Sequence, residues 1–139
     1  MGLFRTPAPG GIASVHEISA GEGRLRVCLR ATEAGEDLVV TIAGGESPHV
    51  GSVAMAVPRP SLRDPAVSSA TASVITVVGH KDDELAKPIA EFLAARLDRT
   101  VVVAAGVHVD RATLDDIERL RDTAWELARE LCRQRVGWS

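Results

Sequence analysis

Between Arg24 and Val78 the chain holds only strand-length apolar runs, each stopped by glycine, proline or a polar turn, and helical periodicity begins only after Gly79. In residues 24–30, Leu25, Val27 and Leu29 alternate with Arg24, Arg26, Cys28 and Arg30, the period of a strand with one wet face. A turn at 33–36 leads to a second run at 37–43, so the two form a hairpin. Gly44-Gly45-Glu46-Ser47-Pro48 breaks it, and residues 49–57 resume as a strand with Val53, Met55 and Val57 on one face. Its other face carries only Ser52, Ala54 and Ala56, small enough for a helix or a flat ligand to approach the backbone. Residues 71–78 are apolar or small on both faces, the pattern expected of a central strand.

After Gly79, Leu85, Ile89, Phe92, Leu93 and Leu97 form a helical stripe, with regular helix expected from about Lys87 because Pro88 lacks an N–H. Residues 100–105 read as a short buried strand. Thr113 with Asp116 resembles a capping box, and Ile117, Leu120, Ala124, Leu127 and Leu131 mark one face of a last helix. The order β-β-β-β-α-β-α predicts an α+β fold: a mainly antiparallel sheet of about five strands with two helices in the C-terminal half. With 139 residues the chain suffices for one domain, expected over 12–133, between a flexible lead-in at 1–11 and a short tail at 134–139.

Sixteen Lys and Arg against nineteen Asp and Glu leave a net charge of −3, which provides no overall basic field for nucleic acid or anionic lipid. The aromatic residues, Phe4, Phe92, Trp125 and Trp138, are too few for a base-stacking platform. Cys28 and Cys132 match no metal or redox spacing and read as free thiols of a reducing cytoplasm. No apolar stretch approaches the roughly 20 residues of a membrane-spanning helix, and the Pro- and Gly-rich start lacks the apolar core of a signal peptide. A cytoplasmic protein is expected.

Three of the four histidines stand near glycine at strand boundaries: His49, His80 and His108. Loops at strand ends are where a rigid sheet presents functional groups, although each histidine can equally cap its own loop. Two chemistries suit them. One is a metal site of His49, His80 and His108 with Asp110 or Asp82, serving a hydrolase or lyase. The other is anion binding, with the Gly44 and Gly45 amides and the Ser61 hydroxyl around a phosphate and Arg59 and Lys81 supplying charge. Ser52, Ser61 and Ser73 lack the Gly-x-Ser-x-Gly elbow of a nucleophile, and neither Gly-x-Gly-x-x-Gly nor a Walker loop is present.

Gly-Gly-Glu-Ser-Pro-His-Val-Gly (44–51), Pro-Arg-Pro-Ser-Leu (58–62), Thr-Ala-Ser-Val (71–74), Gly-His-Lys-Asp-Asp-Glu-Leu-Ala (79–86) and Val-Val-Val-Ala-Ala-Gly-Val-His-Val-Asp (101–110) together resemble the LpdD-like prenylated-flavin chaperones associated with UbiD-type decarboxylases. Two positions depart from that pattern: Asp82 stands where the family has Glu, and Arg111 where it has Asn. The resemblance implies a non-enzymatic homodimer that holds reduced prenylated FMN, made by a flavin prenyltransferase, and helps load it into a decarboxylase. It implies a fold distantly like the proteasome-assembly chaperones. It also implies a cofactor site of Gly44, Gly45, His49, Ser52, Arg59, Ser61, His80, Lys81, His108 and Asp110. There Arg59 and Lys81 would hold the phosphate, the Ser52–Ala54–Ala56 face would floor the ring, and the histidines would meet its polar edge. Two rivals stay open: the metal-dependent enzyme, and a protein assembly chaperone with no small ligand.

Overall fold

A computed structural model of the protein describes residues 2–4, 15–77 and 83–135. Its strands are β1 (Gly2–Phe4), β2 (Val15–Ala20), β3 (Val27–Ala34), β4 (Asp37–Gly45), β5 (Ser52–Pro60), β6 (Ser68–Thr76) and β7 (Val101–His108). Its helices are α1 (Asp83–Leu97) and α2 (Leu114–Arg135), with one 3-10 turn at Gly23–Leu25. The strands form one sheet in the order β1-β2-β3-β4-β7-β5-β6, antiparallel throughout except for the parallel pair β4 and β7. The α+β class and the chain order of four strands (β3 to β6), helix, strand and helix match the expectation. Two N-terminal strands add to it, and β1 falls within the stretch expected to be a lead-in.

Alternation decides the layers. Val27, Leu29 and Ala31 of β3, Leu38, Val40 and Ile42 of β4, Val101, Val103 and Ala105 of β7, and Ala54 and Ala56 of β5 are buried on one face. Both helices cover that face, α1 over β5, β6 and β7 and α2 mainly over β3. Helix α1 contributes Leu85, Ile89, Ala90, Leu93 and Ala94, and α2 contributes Leu120, Ala124, Leu127 and Leu131, all nearly solvent-free. Each large apolar side chain so buried stabilises the fold by about 1.5–3 kcal/mol.

Several expectations need correction. Helix α1 begins at Asp83, and Pro88 lies inside it. The bond that Pro88 forgoes is to the carbonyl of residue 84 in the first turn, and burial of Ile89 and Leu93 on the sheet outweighs a cost of about 3 kcal/mol. Residues 24–30 are not one strand: Arg24 lies in the 3-10 turn, from which its guanidinium reaches toward α2, and pairing starts at Val27. The run read as a central strand is β6, which lies at the sheet edge and leaves Val74 and Ile75 exposed. At the start of α2, Ile117 faces solvent, and the buried stripe begins at Leu120.

The connection from β4 to β5 is the feature that organises one end of the molecule. These strands are not neighbours, because β7 lies between them, so residues 46–51 must cross over the carboxyl end of β7. Gly106 of β7 permits the crossing. A Cβ there would collide with the main-chain carbonyl of His49.

Beyond β7, Arg111 holds φ +52°, in the left-handed region that costs most L-residues about 1–2 kcal/mol and that Asn tolerates better. Arg111→Asn should therefore stabilise the fold by about 0.5–1 kcal/mol, read as a rise in melting temperature.

Candidate functional site

The crossing loop gathers several of the sequence-predicted residues at the carboxyl ends of β4 and β7. The Glu46 and Ser47 amides donate to the His108 carbonyl at 2.7 and 3.2 Å, and the His49 amide donates to the Gly106 carbonyl at 3.5 Å. The Gly51 amide closes the crossing on the Ala105 carbonyl at 2.9 Å. Gly45 takes φ +79°, and a side chain there would strike the His108 carbonyl, so only glycine fits the exit from β4. Its amide donates to the Arg26 carbonyl at 3.0 Å, which commits that N–H to the fold rather than to an anion.

His49 Nδ1 lies 3.0 Å from the Ser47 carbonyl. A carbonyl only accepts, so Nδ1 carries the hydrogen, and in the neutral ring Nε2 remains an acceptor. His108 Nε2 lies 3.0 Å from Asp110 Oδ1 in an exposed pair, with Nε2 donating to the carboxylate. The Asp110 amide donates to Glu46 Oε1 at 2.9 Å, tying the β7–α2 turn to the crossing loop.

Arg24, which the sequence reading placed on a strand's wet face, is the clamp between these parts. Its Nη1 donates to Asp116 Oδ2 at 3.0 Å, its Nη2 donates to the Asp110 carbonyl at 2.8 Å, and Glu46 Oε1 lies 3.7 Å away. Asp116 also completes the capping box: Thr113 Oγ1 accepts from the Asp116 amide at 3.0 Å, and Asp116 Oδ2 accepts from the Thr113 amide at 3.1 Å. The Thr113 amide foremost, and then Arg24, hold the Asp116 carboxyl below the usual Asp range. A depressed folded-state pKa means that this contribution is present above the unfolded value of about 3.9 and is lost as pH falls through the folded value. The expected result is a melting temperature that drops below about pH 4, with a shallower drop in Asp116→Asn, as thermal melts across pH 2–6 would report. The glycines flanking Glu22 were the sequence signal for the turn that positions Arg24.

The remaining predicted residues fall elsewhere. Ser52 is buried with Ala54 and Ala56 under α1, and its hydroxyl donates to the Ile75 carbonyl at 3.3 Å. The small face therefore receives a helix, and it is not the floor of a ligand site. Arg59 and Ser61 lie at the opposite end of β5. Seven residues of strand separate Ser52 from Arg59, roughly 24 Å at about 3.4 Å per residue. Arg59 Nε donates to Thr71 Oγ1 at 2.7 Å and its Nη1 donates to the Pro60 carbonyl at 3.0 Å, while Ser61 Oγ accepts the Arg63 amide at 3.2 Å. His80 and Lys81 lie outside the described residues. Among the described residues, no three His, Cys, Asp or Glu side chains gather to hold a metal ion. Clefts of about 400 and 370 Å³ lie apart from these residues, lined by Gly21, Leu25 and Asp122, and by Ile18, Leu127 and Glu130, respectively.

Fold and site together define a small α+β domain with both described helices on one sheet face, an opposite face that no described helix covers, and polar loop groups collected at one sheet end. The chain belongs to the prenylated flavin chaperone LpdD-like family, whose domain model matches residues 21–135. No curated protein matches it. Among solved structures, a chain of a chaperone complex for yeast 20S proteasome assembly is similar in fold, with a TM-score of 0.56 and 16% identity. That similarity covers 88% of this chain and 98% of the other. It supports the expected kinship of fold with proteasome-assembly chaperones.

Proposed function

We propose that this protein is a carrier of reduced prenylated FMN that receives the cofactor from a flavin prenyltransferase and delivers it to an apo-UbiD-type decarboxylase. The observation that carries this reading is the family match over residues 21–135. The loop cluster at the carboxyl ends of β4 and β7 supports it, because His49, His108 and Asp110 offer acceptors and donors suited to the polar edge of a flavin or its ribityl hydroxyls. Arg59 and Lys81 supply charge for the phosphate, with Ser61 assisting Arg59. Gly44 and Gly45 act by shaping the loop. Reduced flavin reacts readily with oxygen, which gives a dedicated carrier its chemical reason. The carrier is a cytoplasmic protein, and no described helix is long and apolar enough to cross a membrane. Mixing the cofactor-loaded protein with an apo-decarboxylase should restore decarboxylation, whereas the carrier alone should turn over no substrate. Decarboxylation by the carrier alone would overturn this reading.

The carrier works as a homodimer joined through the sheet face that no described helix covers. There Val39, Met55, Val57 and Ile75 are 42%, 50%, 47% and 78% exposed, with Val53, Val102 and Ala104 half-buried between them. A cluster of large apolar side chains on a soluble surface marks an interface. The outward side of α2, by contrast, carries Glu118, Arg119, Asp122, Glu126 and Arg129. Met55→Asp should convert the dimer to a monomer at micromolar concentration by light scattering, with little change in the monomer's fold, since position 55 lies outside the core.

A further inference from the structure

We infer that the dimer stacks its two sheets with strands antiparallel, so that each cofactor site is composite, built from the His49–His108–Asp110 cluster of one copy and Arg59 of the other. The inference rests on the carrier reading for its ligand, and it begins from a mismatch within one chain. Arg59 shares the open sheet face with Val53, Met55 and Val57, as the alternation along β5 requires. The main chain of His49 passes over that same face at Gly106, and His108 continues the open-face parity of Val102 and Ala104. The two groups therefore face the same way from opposite ends of the sheet. In register, Ser52 pairs with Ala105 and the Gly51 amide bonds the Ala105 carbonyl, so Arg59 lies at least eight residue steps along the strand from the cluster, roughly 27 Å at about 3.4 Å per residue. No side chain spans that distance, and no single mononucleotide is held by both within one chain.

A two-fold axis lying between the sheets and across the strands removes the mismatch. It reverses strand direction and places β5 of one copy over β5 of the other, with Met55 near the axis. Arg59 then lies above the Gly51–His49 end of its partner. Packed sheets lie about 10 Å apart, a gap that an arginine side chain crosses with a phosphate at its tip. Charge favours this arrangement over stacking with like ends together. The carboxyl end exposes the carboxylates of Asp110 and Glu46, at 75% and 41%, the first beside His108 and the second 3.7 Å from Arg24. Arg59 bonds only neutral oxygens, and among the described residues no carboxylate lies within ion-pair reach of it. Like ends together would set cation toward cation. The polar contacts also aim Arg59: with Nε and Nη1 engaged, Nη2 is left to meet an anion.

A complementation experiment tests this. Arg59→Ala and the double variant His49→Ala/His108→Ala, each purified alone, should bind reduced prenylated FMN at least tenfold more weakly than wild type. Co-expressed with two affinity tags and purified as heterodimers, they should bind one equivalent per dimer at wild-type affinity. One of the two composite sites is then intact, and the other lacks both halves. Heterodimers as weak as their parents overturn the composite site, because sites contained in one chain would all be singly damaged. Arg59→Ala that binds as wild type also overturns it, and would point to a cation of the same copy, such as Arg26 beside Gly45.

A second measurement needs no flavin. In a Cys28→Ser/Cys132→Ser background, Arg59→Cys with His108→Cys should be cross-linked between copies by a short bifunctional maleimide that cannot span these positions within one chain. Cross-linking without flavin binding by the wild type upholds the arrangement and rejects the carrier reading. Flavin binding without cross-linking or rescue does the reverse.

Discussion

Gly106→Ala should lower the melting temperature by about 10 °C, corresponding to a loss of about 3 kcal/mol in a chain of this size. The added Cβ would occupy the place of the His49 carbonyl, and the obstacle is main chain rather than the end of a flexible side chain. Either the crossing loop lifts from the sheet or β7 shifts, and β7 is held on both sides by β4 and β5. The loop is the softer of the two. Its displacement takes His49 with it and breaks the bonds from the Glu46 and Ser47 amides to the His108 carbonyl. The variant should consequently lose cofactor binding even well below its melting temperature. Differential scanning calorimetry and a binding titration of the same sample separate the two effects. Unchanged stability would mean that the loop does not press on Gly106 as described.

Arg59→Ala should weaken binding of reduced prenylated FMN by about 1.5–3 kcal/mol, the scale of a hydrogen bond to a charged group, with little loss of stability. Arg59 lies between Pro58 and Pro60, whose fixed φ limits the backbone freedom lost on binding. Its guanidinium is oriented by Thr71 Oγ1 and the Pro60 carbonyl, neither of which is in the core. Arg59→Lys should recover only part of the loss, because an ammonium cannot match the planar fork on a phosphate. Calorimetric titration of both variants beside wild type, with thermal melts as the folding control, gives the comparison.

Much of the fold could be read from periodicity. The alternation of Val27 and Leu29, the hairpin at 33–36 and the stripes of both helices each report a local choice between wet and dry sides. Strand order is not local. Nothing in residues 37–57 announces that β7, some fifty residues on, inserts between β4 and β5. The apolar character of β6 suggested a centre, whereas Ala70 lies beneath α1 and Ile75 faces out at the edge. β2 escaped notice because its buried positions are His16 and Ile18, a pairing that breaks the apolar alternation. Within the candidate site, the glycines near His49 and His108 did mark the carboxyl end of β7 and the loop that crosses it. They could not tell which end of the sheet each histidine belonged to. Arg59 and the histidines were grouped on chemistry alone, and only the register of β5 separates them. The small face of Ser52, Ala54 and Ala56 admitted a helix or a flat ligand, and α1 takes the place.

The central claim is that this chain holds prenylated FMN, and the most direct measurement is an anaerobic titration with the reduced cofactor, read by absorbance and native mass spectrometry, with FMN as the control. The account predicts saturable binding of reduced prenylated FMN at one equivalent per chain, two per dimer, clearly tighter than FMN. A protein that remains colourless through the titration, and whose mass shows no bound flavin, would contradict it.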